Sequence, residues 1–262
     1  MFETLDVEIR GPIGRLRLDR PEKLNPLSVE TLEEIAAAAR YFDEQPGVKV
    51  VIVSGAGRAF SAGADLASFR ALGDRTTHEV AEIGRRMADA LEAMRPLSIA
   101  QIHGWCVGGG LVLAAGCDLR VASVDARFSI PEVDLGIPLA WGGIPRLVRE
   151  IGPALTKELV LTCRSFGAEE ARSIGFLNRV VAADALEQEV EGLAESLAAK
   201  SAHALFSTKR HVNAITEQMV GTSRSWADAD GLVAAFADEE SGRVRRDYLA
   251  ARASKQAGRG ST

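Results

Sequence analysis

The stretch GWCVGGGLVLAAGCDLRVA, residues 104–122, sets Gly108, Gly109 and Gly110 side by side and runs directly into an apolar helix. Each glycine inside a helix costs about 1 kcal/mol relative to alanine. A helix that opens on three of them needs bare backbone there, either for an unusual dihedral angle or for another group to approach the main chain. The preceding run LSIAQIHG reads as a strand and DLRVAS beyond the helix as another. A strand, a tight turn and a short buried helix in succession point to an α/β core.

The rest of the chain fits that frame. LDVEIRGPIGRLRLD reads as two short strands around Gly11-Pro12, with alternation in Val7/Ile9 and Leu16/Leu18. Ser28 is placed to cap a helix running to about Tyr41. VKVVIVSG is nearly continuous in apolar residues, the pattern of a strand covered on both faces. Val80, Ile83, Met87, Leu91 and Met94 recur at helical spacing. ARFSIP reads as a further strand, and from about Gly142 the patterns are mainly helical, among them ALTKELVLTC, ALEQEVEGLAESLAA and LVAAFADEE. The expected division is an α/β core over 1–200 and a helical C-terminal region over 201–262.

Composition narrows the function classes. Hydrophobic residues make up 47% of the 262, enough for a large buried core, and the net charge of −5 argues against a dedicated nucleic-acid binder. No apolar run approaches the ~20 residues of a membrane span, and MFETLDVEIR lacks the pattern of a secretory signal. A cytoplasmic location is expected. Cys106, Cys117 and Cys163 form no CxxC pair and read as free thiols, and the four histidines have no metal-binding spacing. No metal is expected.

Two small-residue turns are candidates for a binding site, the alternative being that they only allow close packing of the chain. The first, FSAGADL (60–66), follows the VKVVIVSG strand, and the second is the glycine triplet. Neither is a dinucleotide fingerprint or a phosphate loop: Phe60 stands where a third small residue is required, and no Lys-Ser/Thr follows the triplet. Small residues leave backbone N–H groups open to a ligand, and a helix start adds amides without intrahelical partners. Two such turns converging on one oxygen would make an oxyanion hole.

The ordered set RAFSAGADL, IHGWCVGGGLVLAAGCDLRVA, ARFSIPEVDLGIP and GGIPRLVREIG closely resembles the enoyl-CoA hydratase/isomerase (crotonase) superfamily, with RPEKLNPLS and EEARSIGFLNRVV fitting as well. The resemblance implies a spiral of ββα units with a C-terminal helical trimerisation region, assembling as a trimer or a dimer of trimers. It implies an acyl-CoA thioester substrate, with coenzyme A as part of that substrate and no separate cofactor. Matched position by position, the amides of Ala64 and Gly109 would hold the thioester oxygen. The loop bearing Ala62, Ala64, Asp65 and Leu66 would contact the coenzyme, with Asp65 also suited to bracing its own turn.

The resemblance also says which acids to look for. The family's hydratases use two glutamates, one two residues after the triplet and one after the proline of a PE pair. Here the second is Glu132, and Val112 stands at the first position. Other branches carry an aspartate at the position of Ala140. Asp134 is the one nearby substitute; in a strand-like PEVDLG it would share a face with Glu132. Trp141 stands beside the expected acyl pocket. A single glutamate suits a proton shuttle that moves a double bond, so an enoyl-CoA isomerase of fatty-acid metabolism is expected. An enoyl-CoA hydratase with an unusual site and a non-catalytic acyl-CoA-binding protein are the alternatives.

Overall fold

The computed structural model describes residues 2–66, 68–70, 75–225 and 227–259. Strands β1 (Leu5–Arg10) and β2 (Ile13–Leu18) form the expected antiparallel hairpin. Helix α1 (Val29–Asp43) starts where the Ser28 side chain accepts a hydrogen bond from the Thr31 amide.

From β3 onward the chain repeats one manoeuvre. A strand of the large sheet turns a corner, runs briefly in a second sheet, and leaves through a loop or helix. The pairs are β3 (Val50–Gly55) with β4 (Ala59–Ser61), β5 (Leu97–Ile102) with β6 (Trp105–Val107), and β7 (Leu119–Ser123) with β8 (Arg127–Ser129). Helix α2 (Thr77–Ala93) follows the first pair, α3 (Gly109–Ala115) the second, and α4 (Gly143–Thr162) the third. The second corner needs glycine: Gly104 has φ 55°, and a Cβ there would lie 2.2 Å from the Arg58 carbonyl oxygen.

Two later strands complete the sheets. β9 (Phe166–Gly167) closes a small sheet ordered β4-β6-β8-β9, and β10 (Arg179–Val181) a large one ordered β1-β2-β3-β5-β7-β10. Between them lies α5 (Ala168–Ser173), and α6 (Leu186–Ala198), α7 (Ala202–Met219), α8 (Asp228–Ala237) and α9 (Glu239–Arg259) follow. The result is a mixed α/β fold of ββα units with C-terminal helices.

The large sheet is covered on both faces, as the continuous apolar run of β3 requires. Val51 and Val53 face the main core with Leu32, Ile35 and Phe42 of α1 and Met87 and Leu91 of α2. Val50 and Ile52 face Leu186, Val190 and Ala194 of α6. Burying one such side chain contributes about 1.5–3 kcal/mol. The C-terminal helices are tied in by charge as well: Lys209 of α7 is buried and donates to Asp118 Oδ2 at 2.8 Å and to the Pro96 carbonyl at 3.0 Å. Among the described residues no helix is long and apolar enough to cross a membrane.

The sequence reading needs two amendments. Ala59–Ser61 and Trp105–Val107, read as parts of turns, are strands of the small sheet. The region after Gly142 is not helical throughout, because β10 returns to pair in parallel with β7. These strands have three residues each, too few for an alternation to show.

Candidate active site

The strands β4, β6 and β8 run parallel, so their C-terminal ends come together at one edge of the small sheet. The loop after β4 brings Ala64, the turn after β6 brings Gly109, and the segment after β8 brings Glu132. All three line one pocket. Val112, Leu66, Ala140 and Trp141 line it too, along with Val80 and Ala81 of α2. Leu232 and Phe236 of α8 contribute a further wall that local sequence patterns did not place there.

The two amides are disposed by ordinary ladder and helix geometry. Leu27 bridges Ala64 in parallel fashion, its amide donating to the Gly63 carbonyl at 2.8 Å and its carbonyl accepting from the Asp65 amide at 3.0 Å. The intervening Ala64 amide therefore points away from Leu27. Gly109 is the first residue of α3, where amides precede any intrahelical acceptor. Gly63, at φ 88°, packs its Cα face against the second turn: a Cβ there would lie 2.6 Å from the Val107 carbonyl oxygen and 3.5 Å from the Gly109 nitrogen.

The glycine triplet has a different reason at each position. A Cβ on Gly108 would lie 2.4 Å from Glu132 Oε1, one on Gly109 2.2 Å from the Trp141 ring, and one on Gly110 2.8 Å from Ser61 Cβ. Real Cβ atoms do not approach so closely. The bare backbone is thus required by the protein's own side chains, two of them in the pocket.

Glu132 sits in a tight turn. Its carbonyl accepts from the amides of Leu135 and Ile137, both at 3.0 Å. Its Oε2 is buried, with no hydrogen-bond partner among the described residues. Burial pushes the carboxyl pKa up to about 7, opposed only by its own backbone amide. Of the described lining residues, Glu132 alone carries an ionisable side chain. A carboxyl group held near neutrality in an apolar pocket is suited to taking a proton from carbon and giving it back.

Asp134 is corrected by this geometry. PEVDLG is not a strand but a run of turns, with Gly136 N donating to the Val133 carbonyl at 2.9 Å, so residues 132 and 134 do not share a face. Asp134 is exposed and does not line the pocket. Asp65 also lies outside it. Its Oδ1 accepts weakly from the Ser68 amide at 3.4 Å, its carbonyl accepts from Ser68 Oγ at 2.8 Å, and Arg20 Nη1 stands 4.0 Å from Oδ2. Ala62 donates its amide to the Leu24 carbonyl at 2.8 Å and lies beside the pocket rather than in its lining.

Supports that sequence reasoning missed come from α8 and α9. Asp228 Oδ2 accepts from the Gly142 amide at 2.8 Å, next to Trp141. Arg245 Nε donates to the Leu135 carbonyl at 3.1 Å, and its guanidinium lies 4.7 Å from the centroid of the Phe236 ring. No local signal pairs these residues with positions about a hundred residues upstream.

Comparison with known proteins agrees with this architecture. The family model for enoyl-CoA hydratase/isomerase matches residues 8–255. The chain is 35% identical over 243 residues to the crotonyl-CoA hydratase of Syntrophomonas wolfei subsp. wolfei, covering 92% of this chain and 94% of that protein. It is 36% identical to a peroxisomal Delta(3,5)-Delta(2,4)-dienoyl-CoA isomerase of Arabidopsis thaliana, covering 79% and 81% respectively. The crystal structure of an enoyl-CoA hydratase from Mycobacterium avium subsp. paratuberculosis K-10 superposes with a TM-score of 0.84 at 27% identity, over 93% of this chain and 98% of that one.

Proposed function

Since the chain belongs to the enoyl-CoA hydratase/isomerase family, an acyl-CoA enzyme, we propose that its reaction is migration of a double bond in an enoyl-CoA thioester, with Glu132 as the one acid–base group. The observation that carries this reading is the pocket itself, whose described lining is apolar apart from the Thr77 hydroxyl and the one carboxyl group of Glu132, its Oε2 buried, with Val112 where a second acid would serve hydration.

In this reading the thioester oxygen lies against the amides of Ala64 and Gly109, and the acyl chain enters the apolar pocket. The Glu132 carboxylate removes a proton from C2 of a 3-enoyl thioester. The C–H electrons form a C1=C2 bond as the C1=O electrons move onto the thioester oxygen, where the negative charge gathers. Two backbone donors stabilise that charge; one such donor is worth about 3–4 kcal/mol in related sites. Glu132, now protonated, delivers the same proton to C4. The oxygen electrons re-form C1=O, the C1=C2 pair becomes C2=C3, and the C3=C4 pair takes up the proton at C4, giving the 2-enoyl thioester and regenerating the carboxylate. Nothing is oxidised or reduced, and no water takes part.

The names of the relatives favour hydration as the second reading. It asks for one group to activate water and another to handle the α proton, and Val112, 1% exposed and apolar, supplies neither. Replacing Glu132 with Gln keeps the size of the side chain and removes its ability to accept a proton from carbon. Isomerisation of 3-hexenoyl-CoA should then fall by about 10²–10⁴-fold, with acyl-CoA binding little changed. Full turnover in a folded E132Q protein would overturn the assignment.

A further inference from the structure

Trp141 sits in the pocket in a way that invites a specific role. Its φ is 61°, a left-handed conformation that is strained for a bulky residue. Its indole occupies a socket cut from two helices. A Cβ on Gly84 of α2 would lie 2.1 Å from the ring, and a Cβ on Gly109 of α3 2.2 Å from it. Phe69 stacks on it, with centroids 5.8 Å apart and planes 29° apart. A glycine inside α2 costs helix stability, and the ring explains why it is there.

The backbone beneath the ring is held from several sides. The Gly142 amide donates to Asp228 at 2.8 Å. Arg146, 1% exposed, donates from Nη1 to the Gly142 carbonyl at 3.2 Å and from Nη2 to Asp89 at 2.9 Å and Glu92 at 2.6 Å. Strained backbone persists where its surroundings over-determine it. The indole is therefore a fixed wall rather than a swinging gate. The space left between this wall, Glu132 and α8 is about 50 Å³. That is little more than the share of one water molecule in the liquid, about 30 Å³.

Resting on the acyl-CoA reading above, we infer that Trp141 sets the length of acyl chain this protein accepts, restricting it to short chains of about four to six carbons. Asp228 and Arg146 act through it as positioning residues. The wall stands against the same turn whose amide is proposed to face the thioester, so a tail directed toward the ring meets it within a few carbons.

The test is calorimetric titration of the full-length protein with saturated acyl-CoAs from butyryl to decanoyl, which bind without turning over. Each methylene newly buried is worth about fourfold in affinity, from ~0.8 kcal/mol per CH₂. Wild-type affinity should stop rising by about six carbons. Trp141→Gly, which suits the left-handed backbone, should continue to gain, raising the decanoyl-to-butyryl affinity ratio by at least about tenfold. Trp141→Phe removes less bulk and keeps an aromatic partner for Phe69. It should raise the ratio by about threefold and serves if the glycine variant does not fold. An unchanged length profile in a folded variant overturns the inference, as does a wild type whose affinity climbs steadily to decanoyl-CoA. Failure of the wild type to bind any acyl-CoA would overturn the functional reading beneath it as well.

Discussion

Substituting Gly108 with alanine places a single methyl group against the group proposed to do the chemistry. Gly108 has φ 50° and ψ −115°, a conformation that alanine adopts only under strain, at a cost of about 1–3 kcal/mol. The new Cβ would lie 2.4 Å from Glu132 Oε1 and 3.2 Å from its carboxyl carbon. Ordinary contact needs about 3.5 Å, so the carboxylate must retreat by about 1 Å. A displacement of that size at a reacting group costs about 10²-fold in rate. We expect Gly108→Ala to lose about 100-fold in kcat for 3-hexenoyl-CoA isomerisation, with a stability loss of about 1–3 kcal/mol in urea denaturation. Gly110→Ala is the control. Its Cβ would meet Ser61 Cβ at 2.8 Å rather than the carboxylate, so stability should fall while kcat falls much less. A folded Gly108→Ala protein with kcat within about threefold of wild type would refute the placement of Glu132 at the reacting carbons.

Three other outcomes follow from the same structure. Glu132, raised to about 7 by burial, is protonated in both folded and unfolded states well below its ordinary pKa of 4.5. Stability is therefore lost as pH rises from that region through about 7, and Glu132→Gln should become more stable than wild type at pH 8 by up to about 3 kcal/mol, a gap closing towards pH 4.5. Thermal melts at the two pH values check this, and a gap that does not change would contradict it. Lys209→Met strands Asp118 without its buried cation and should cost about 3 kcal/mol in denaturant unfolding, partly recovered by adding Asp118→Asn. Val212, Ile215 and Met219 leave apolar surface on one face of α7, so light scattering should report an assembly of several copies, and a monomer at micromolar concentration would contradict this.

Features legible in the sequence were those governed by neighbouring residues. Ser28 announced its helix because a cap acts within three positions, and β3 announced its two covered faces because Val50, Val51, Ile52 and Val53 are apolar in succession. The triplet pointed to close approach of some group, and the resemblance to the crotonase superfamily marked Glu132 in the PE pair. What stayed hidden depends on contacts across the chain. β10 is three residues without alternation, and only its pairing with β7 makes it a strand. Asp134 was misplaced because a strand reading assumed period 2, whereas Gly136, at φ 64°, belongs to a chain of turns. Leu232 and Phe236 reach the pocket through the packing of α8 on α2, which no local pattern encodes. The left-handed backbone of Trp141 depends on Asp228 and Arg146, and no property of tryptophan suggests it.

The central claim is that one carboxyl group in an apolar pocket favours proton shuttling over addition of water. The most direct measurement gives the wild-type protein 3-hexenoyl-CoA and trans-2-hexenoyl-CoA in parallel and resolves the products by chromatography. A missing acid–base group is worth about 10²–10⁴ in rate, so isomerisation of the first should outrun hydration of the second by at least about tenfold. Hydration as fast as isomerisation would contradict the single-carboxylate account and show that the pocket activates water by a group other than Glu132.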